Sequence, residues 1–298
     1  MLLKPNLSLY RFFVITWRID ILMLCLCGIV YFVDTKLLPG LHIPVALATL
    51  MGTALAFFIA FNNNQAYDRW WEARIIWGGL VNDSRSWSRS ILQYVQKDRD
   101  KEIQRRMILR HIGFLYALKA SLRRTNDNQY KKFLPDDEVE RVASYSNIPN
   151  AIIDEQAADL RRLYDQQMID GYRFLGLDGL LKNFCEGMGK SERINNTVFP
   201  TTYIYFTRLF IWLLMLILTM AISEEVGPAA IFFGWAIGFV FHISHLNGMN
   251  IINPFELKAP AIPLDSITRT IEINLLQALQ EKDIPAPVQP AHNNEYIL

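Results

Sequence analysis

Residues 37–66 contain no Asp, Glu, Lys or Arg. A helix needs about 20 apolar residues to cross a bilayer core, so a stretch of this kind reads as a membrane span with residues to spare. It ends abruptly: Asn62, Asn63 and Asn64 follow Phe61, and "QAYDRWWEARIIWGG", dense in aromatic and charged residues, follows them. Residues 226–243 form a second sufficient run. Two shorter runs, 21–33 and 209–222, are bounded by Asp20 and Asp34, and by Arg208 and Glu224. Each short run pairs with its longer neighbour through a turn-like link, 34–40 or 223–227, giving two helical hairpins. Arg18 and Arg208 can snorkel to the interface. Four spaced runs with Trp and Tyr near their ends argue against the alternative, a soluble all-α core.

Charge sets the orientation. Of 30 Lys and Arg, 22 lie within residues 62–204, while the two links hold Lys36 alone. Lys4, Arg11 and Arg18 precede the first run, and short flanks are the stronger indicator, so both termini and the long middle segment are expected on the cytoplasmic side. No cleavable leader is read at the N-terminus. A net charge of +1 gives no ground for nucleic-acid binding, and three cysteines, Cys25, Cys27 and Cys185, form no disulfide framework.

The middle segment is ordered helix. Trp70, Trp77, Trp87, Ile91, Leu109, Ile112, Leu115 and Leu118 recur at helical spacing through residues 67–122, and a second helical stretch covers 152–172. Between them, Pro135 with an acidic turn after it, and then Pro149, read as a short helix and a loop. No strand alternation or internal repeat appears, so the class is an all-α membrane protein with a large helical cytoplasmic domain. The expected divisions are 1–66, 67–204, 205–246 and 247–298.

Thr49, Thr53, Phe57 and Phe61 stand four apart and share a helix face. Small residues, Ala46, Ala48, Gly52, Ala54, Ala56 and Ala60, fill much of the rest and permit close helix approach. Such a stripe is either packing inside one protomer or the wall of a conduit. The three uncharged asparagines at its end favour the second, because carboxamides can replace an ion's water without fixing its sign. Helix capping would explain one asparagine and not three.

"NNNQAYDRWWEARIIWG" at residues 62–78 and "NPFELKAPAIPLDSITRTIE" at 253–272 closely resemble the bacterial bestrophins, the prokaryotic branch of the bestrophin ion-channel family. The resemblance runs from the first helix to about residue 280. It implies a homopentameric channel whose protomers have four membrane helices, with the second helix lining a central pore in the bacterial inner membrane. The family's apolar neck then falls on Thr53, Phe57 and Phe61, with Asn62, Asn63 and Asn64 at its exit. A second constriction, in the cytoplasmic part, falls on Leu180. Thr53 stands where an aliphatic residue is usual, which implies a wetter outer end of the neck. Asp68, Arg69, Trp70, Trp71 and Glu72 are expected to build subunit contacts, the two acids finding basic partners in Arg69, Arg74 or a neighbouring copy. Eukaryotic members bind calcium through an acidic cluster after Asn-Pro-Phe. Here Glu256, Leu257, Lys258, Ala259 and Pro260 supply one carboxylate, where calcium takes roughly six to eight oxygens, so neither calcium gating nor any other cofactor is expected.

No phosphate loop, nucleophile elbow or paired catalytic carboxylates points to an enzyme. His242 and His245 share a helix face, but a metal there would need a third ligand, and Glu256 is the nearest acid in sequence. Two classes remain, a passive channel for monovalent ions or a membrane scaffold with a partner-binding cytoplasmic domain. Its partners are expected to be further copies of itself and membrane lipid. For ion sign, Asp34, Glu224 and Glu225 against Lys36 give the outer mouth a negative field, multiplied fivefold by symmetry. The expectation is a cation preference, with anion conduction, as in animal members, the alternative.

Overall fold

The computed structural model describes residues 9–37, 41–95, 101–291 and 296–297, with residues 9–13 and 15 described by backbone alone. Lys4, His292 and the last residues of the first link, 38–40, lie outside the described residues. The described chain is α-helical, with one isolated bridge between Ala291 and Tyr296 and no other strand pairing. It divides into two units.

The membrane unit holds the described residues of 9–69 together with Val198–Ile252. Its helices are α1 (Leu9–Phe32), the first part of α2 (Val45–Tyr94), α7 (Thr201–Val226) and α8 (Ala229–Ile251). All four are long and apolar enough to span a bilayer. The first span begins at Thr16 and not at residue 21. Asp20 therefore lies inside the span, buried, with the Thr16 hydroxyl donating to its Oδ2 at 2.6 Å. The expected turn after residue 33 is, as far as Leu37, a π-helical extension of α1. The second link is also shorter than expected: α7 continues to Val226, and the chain reverses at Gly227, whose φ of +58° suits glycine.

Helices α1, α7 and α8 pack on one another, with Met23, Cys27, Ile211, Leu214 and Met215 at the centre. Helix α2 joins this cluster through Leu55 and Ile59. It starts straight after Pro44, whose fixed φ suits a helix start, and continues unbroken for 50 residues through the asparagines and the aromatic segment. At 1.5 Å per residue that is about 75 Å, more than twice a bilayer core.

The second unit takes in Trp70–Thr197 and the chain from Asn253 onward. The single helical stretch expected over 67–122 is two helices, the end of α2 and α3 (Lys101–Arg123). Next come α4 (Asp136–Ala143), α5 (Ile148–Asp165), capped by the Asn147 side chain, α6 (Gly171–Asn196), capped by Asp170, and α9 (Leu264–Ala278). Helix α3 is the central rod, packing on α5, α6 and α9. Ile108, Ile112, Leu115 and Leu118 are fully buried there, alongside Trp77, Trp87 and Phe184 of the same core. Arg110 is buried too, and donates to Asp159 at 2.7 Å, to Gln156 at 3.0 Å and to both oxygens of Glu138.

Candidate pore-lining helix

Helix α2 has two faces within the membrane unit. Ala48, Leu55, Ile59, Asn62 and Ala66 are buried on one side. Turning 100° per residue, the opposite side carries Leu50, Thr53, Phe57, Phe61 and Asn64. Phe57 is 72% exposed and Phe61 58%, and neither ring stacks on another aromatic among the described residues. The stripe read from the sequence is thus the face turned away from the protomer's own helices.

The threonines contribute less polarity than their identity implies. Thr53 Oγ1 donates to the Thr49 carbonyl at 2.9 Å, and Thr49 Oγ1 donates to the Val45 carbonyl at 3.0 Å. With their protons bonded inside the helix, they present methyl groups and lone pairs.

The three asparagines separate. Asn62 is buried, and its Nδ2 donates to Thr207 Oγ1 of α7 at 3.2 Å. Asn63 Nδ2 donates to the Ser244 carbonyl of α8 at 2.9 Å, and its side chain occupies the space a Cβ would need at Gly248. Only Asn64 is exposed. Of the three asparagines expected at a pore exit, two satisfy polar groups between helices of the same protomer, and Asn64 alone stays on the exposed face.

Of the expected outer-mouth residues, Asp34 is misplaced. It is buried, and its carboxylate accepts the Ser223 hydroxyl, which ties the extension of α1 to the end of α7. A charge at membrane depth finds an internal partner, and this one is therefore not presented to solvent. Glu224 and Glu225 are exposed, and Glu224 Oε1 lies 3.5 Å from His42 Nδ1.

In the aromatic segment, Trp70 Nε1 donates to the Pro260 carbonyl at 2.9 Å, and its ring stacks on Trp71, which remains exposed. Glu72 pairs with Arg193 of α6 at 2.5 Å, a partner not anticipated from the sequence. Asp68 is exposed and Arg69 half-buried. Leu180 is half-buried on the flank of α6 and packs against the helical core.

Four spanning helices, one of which turns an aromatic stripe away from its own protomer, define a polytopic all-α membrane protein. The chain belongs to the bestrophin family: residues 13–277 match the family described as Bacterial/Fungal Bestrophin protein. It is similar to a voltage-dependent anion channel-forming protein of a Synechocystis species, 31% identical over 242 residues, covering 80% of this chain and 78% of that one. It is similar also to the voltage-dependent anion channel-forming protein YneE of Escherichia coli, 28% identical over 255 residues, covering 84% and 82%. The fold matches the crystal structure of a bacterial bestrophin homologue from Klebsiella pneumoniae with a TM-score of 0.82 at 24% identity, covering 91% of this chain and 99% of that one. The protein is a membrane ion channel of this family.

Proposed function

We propose that five copies of this chain close around an axis lined by α2 and conduct small monovalent anions passively. The carrying observation is the opposition of faces on α2: one side is spent on the protomer, and the other exposes Thr53, Phe57, Phe61 and Asn64. Lipid could cover the phenylalanines, but not economically the carboxamide that continues the same face. Around an axis, Thr53, Phe57 and Phe61 make a narrow apolar neck that gates by dewetting, and Asn64 lines its exit. Leu180 offers one edge to a second constriction. Asp68, Arg69 and Trp71 touch the adjacent copy, while Trp70 and Glu72 brace this segment of α2 from within the protomer. The assembly sits in the bacterial inner membrane, surrounded by lipid, with both termini and the Trp70–Thr197 region cytoplasmic.

The cation preference expected from the sequence is not retained. Without Asp34 the outer links offer Glu224 and Glu225 against Lys36, and Glu224 lies beside His42. Aromatic ring edges carry partial positive charge, which favours anions in a phenylalanine-lined neck. The similar proteins named as anion channel-forming agree with that sign. Mass measurement of the purified assembly in detergent, paired with ion flux from liposomes, tests the reading. A pentamer with flux supports it, and a stable monomer or dimer, or an absence of flux for every ion tried, contradicts it.

A further inference from the structure

Helices α1, α7 and α8 flank a partly open cavity of about 200 Å³ that none of the exposed α2 residues lines. It is lined by Ile19, Arg208, Ile211, Trp212, His242 and Leu246. Arg208 forms no ion pair among the described residues. The His242 imidazole is 7% exposed, and its Nε2 has no hydrogen-bond partner. His245, three residues on and 2% exposed, leaves its Nε2 equally unpartnered. The charges that act on His242 are Asp20 of α1 and Arg208 of α7. A buried polar atom with no partner is costly inside a membrane unit, and the His242 ring that carries this one lines a cavity beside a cation.

The chemistry of the lining defines that ligand. A metal does not fit, since no group of three or more metal-type side chains occurs among the described residues. A freely soluble anion would suit Arg208 and His242 but would waste the apolar wall. We infer that the cavity seats the anionic head of a membrane amphiphile. Arg208 supplies the charge, His242 Nε2–H the directed hydrogen bond, and Ile19, Ile211 and Leu246 flank the first carbons of the chain. Basic pockets between membrane helices recognise lipid head groups on the same terms. Asp20 is buried next to Ile19, with one oxygen held by Thr16, and its own negative charge restricts the head to a single charge, a phosphodiester or a carboxylate.

Native mass spectrometry of the intact assembly in detergent, titrated with phosphatidylglycerol, phosphatidylcholine, oleate or inorganic phosphate, tests this independently of conduction. Phosphatidylglycerol should be retained and phosphatidylcholine lost. Arg208→Gln and His242→Leu should each weaken retention about tenfold or more, the loss of one charge-assisted hydrogen bond. Arg18→Gln, a basic residue elsewhere on α1, should leave retention unchanged. Displacement by oleate would identify a carboxylate amphiphile as the source, and resistance to oleate a phospholipid. Because Arg208 is exposed, its variant reports on binding even if His242→Leu folds poorly. Equal retention of phosphatidylcholine, wild-type retention in Arg208→Gln, or displacement by inorganic phosphate at matched concentration would overturn the inference.

Discussion

Trp70 donates its indole N–H to the carbonyl oxygen of Pro260 at 2.9 Å, across 190 positions of sequence. The aromatic segment of α2 is thereby bonded to the loop after α8, the two stretches that carry the family resemblance. The loop is itself preformed: Phe255 N donates to Asn253 Oδ1 at 3.2 Å, Ile262 N donates to the Pro254 carbonyl at 2.9 Å, and Phe255 is fully buried. Trp70→Phe keeps an aromatic ring and removes the donor. It should cost about 1–2 kcal/mol and lower the unfolding midpoint by a few degrees, as read by thermal denaturation in detergent.

The proposed neck is the most direct target for electrophysiology. Phe57→Ala and Phe61→Ala should each raise conductance or open probability, because removing an apolar ring lowers the dewetting barrier. Thr53→Ile should reduce conduction. The Thr53 hydroxyl already bonds within its helix, so this effect should be smaller than that of either phenylalanine. Unchanged currents in both alanine variants would move the constriction elsewhere.

Arg110 holds the centre of the helical unit. Burial works against its charge, but Glu138 and Asp159 outweigh burial and hold the guanidinium above its ordinary pKa. Arg110→Met would leave Glu138 buried without its cation, while Asp159 keeps Arg106 and Arg162, at a cost of about 3 kcal/mol. Loss of the assembled species on gel filtration, or a large drop in midpoint, checks this.

His111 lends the helical unit a pH dependence. Its ring is fully enclosed, Nε2 lies 2.8 Å from Ser84 Oγ, and burial lowers its pKa to about 3. An unfolded imidazole binds its proton near pH 6.5, so between the two values the unfolded state carries more protons and stability falls as pH falls. Moving from pH 7 to pH 5 should remove about 2 kcal/mol through this group. His111→Gln, which cannot titrate, should flatten that part of the profile, and an unchanged slope would assign the dependence to other groups.

What could be read from the sequence followed local periodicity, and what could not depended on distant partners. The charge-free run and the four-residue ladder are properties of neighbouring residues, so the span and the outward stripe were both legible. Nothing near Asn62 and Asn63 announces Thr207 and Ser244, which lie 145 and 181 positions away. Glu72 was expected to look to its own helix or to another copy, and it pairs with Arg193. Asp20 and Asp34 looked like the edges of an apolar run because charge usually stops a span. Thr16 and Ser223 let both sit inside the membrane unit. The unbroken length of α2 was hidden for a related reason, since three asparagines lower helix propensity locally and tertiary bonds restore it.

The reversal potential of purified protein in a planar bilayer under a sodium chloride gradient tests the central claim most directly. Passive conduction through a phenylalanine-lined neck with little negative field at its mouth predicts a steady current that reverses toward the chloride equilibrium potential, and a Glu224→Gln, Glu225→Gln variant should reverse at nearly the same voltage. Reversal toward the sodium potential, or no current at all, would contradict it.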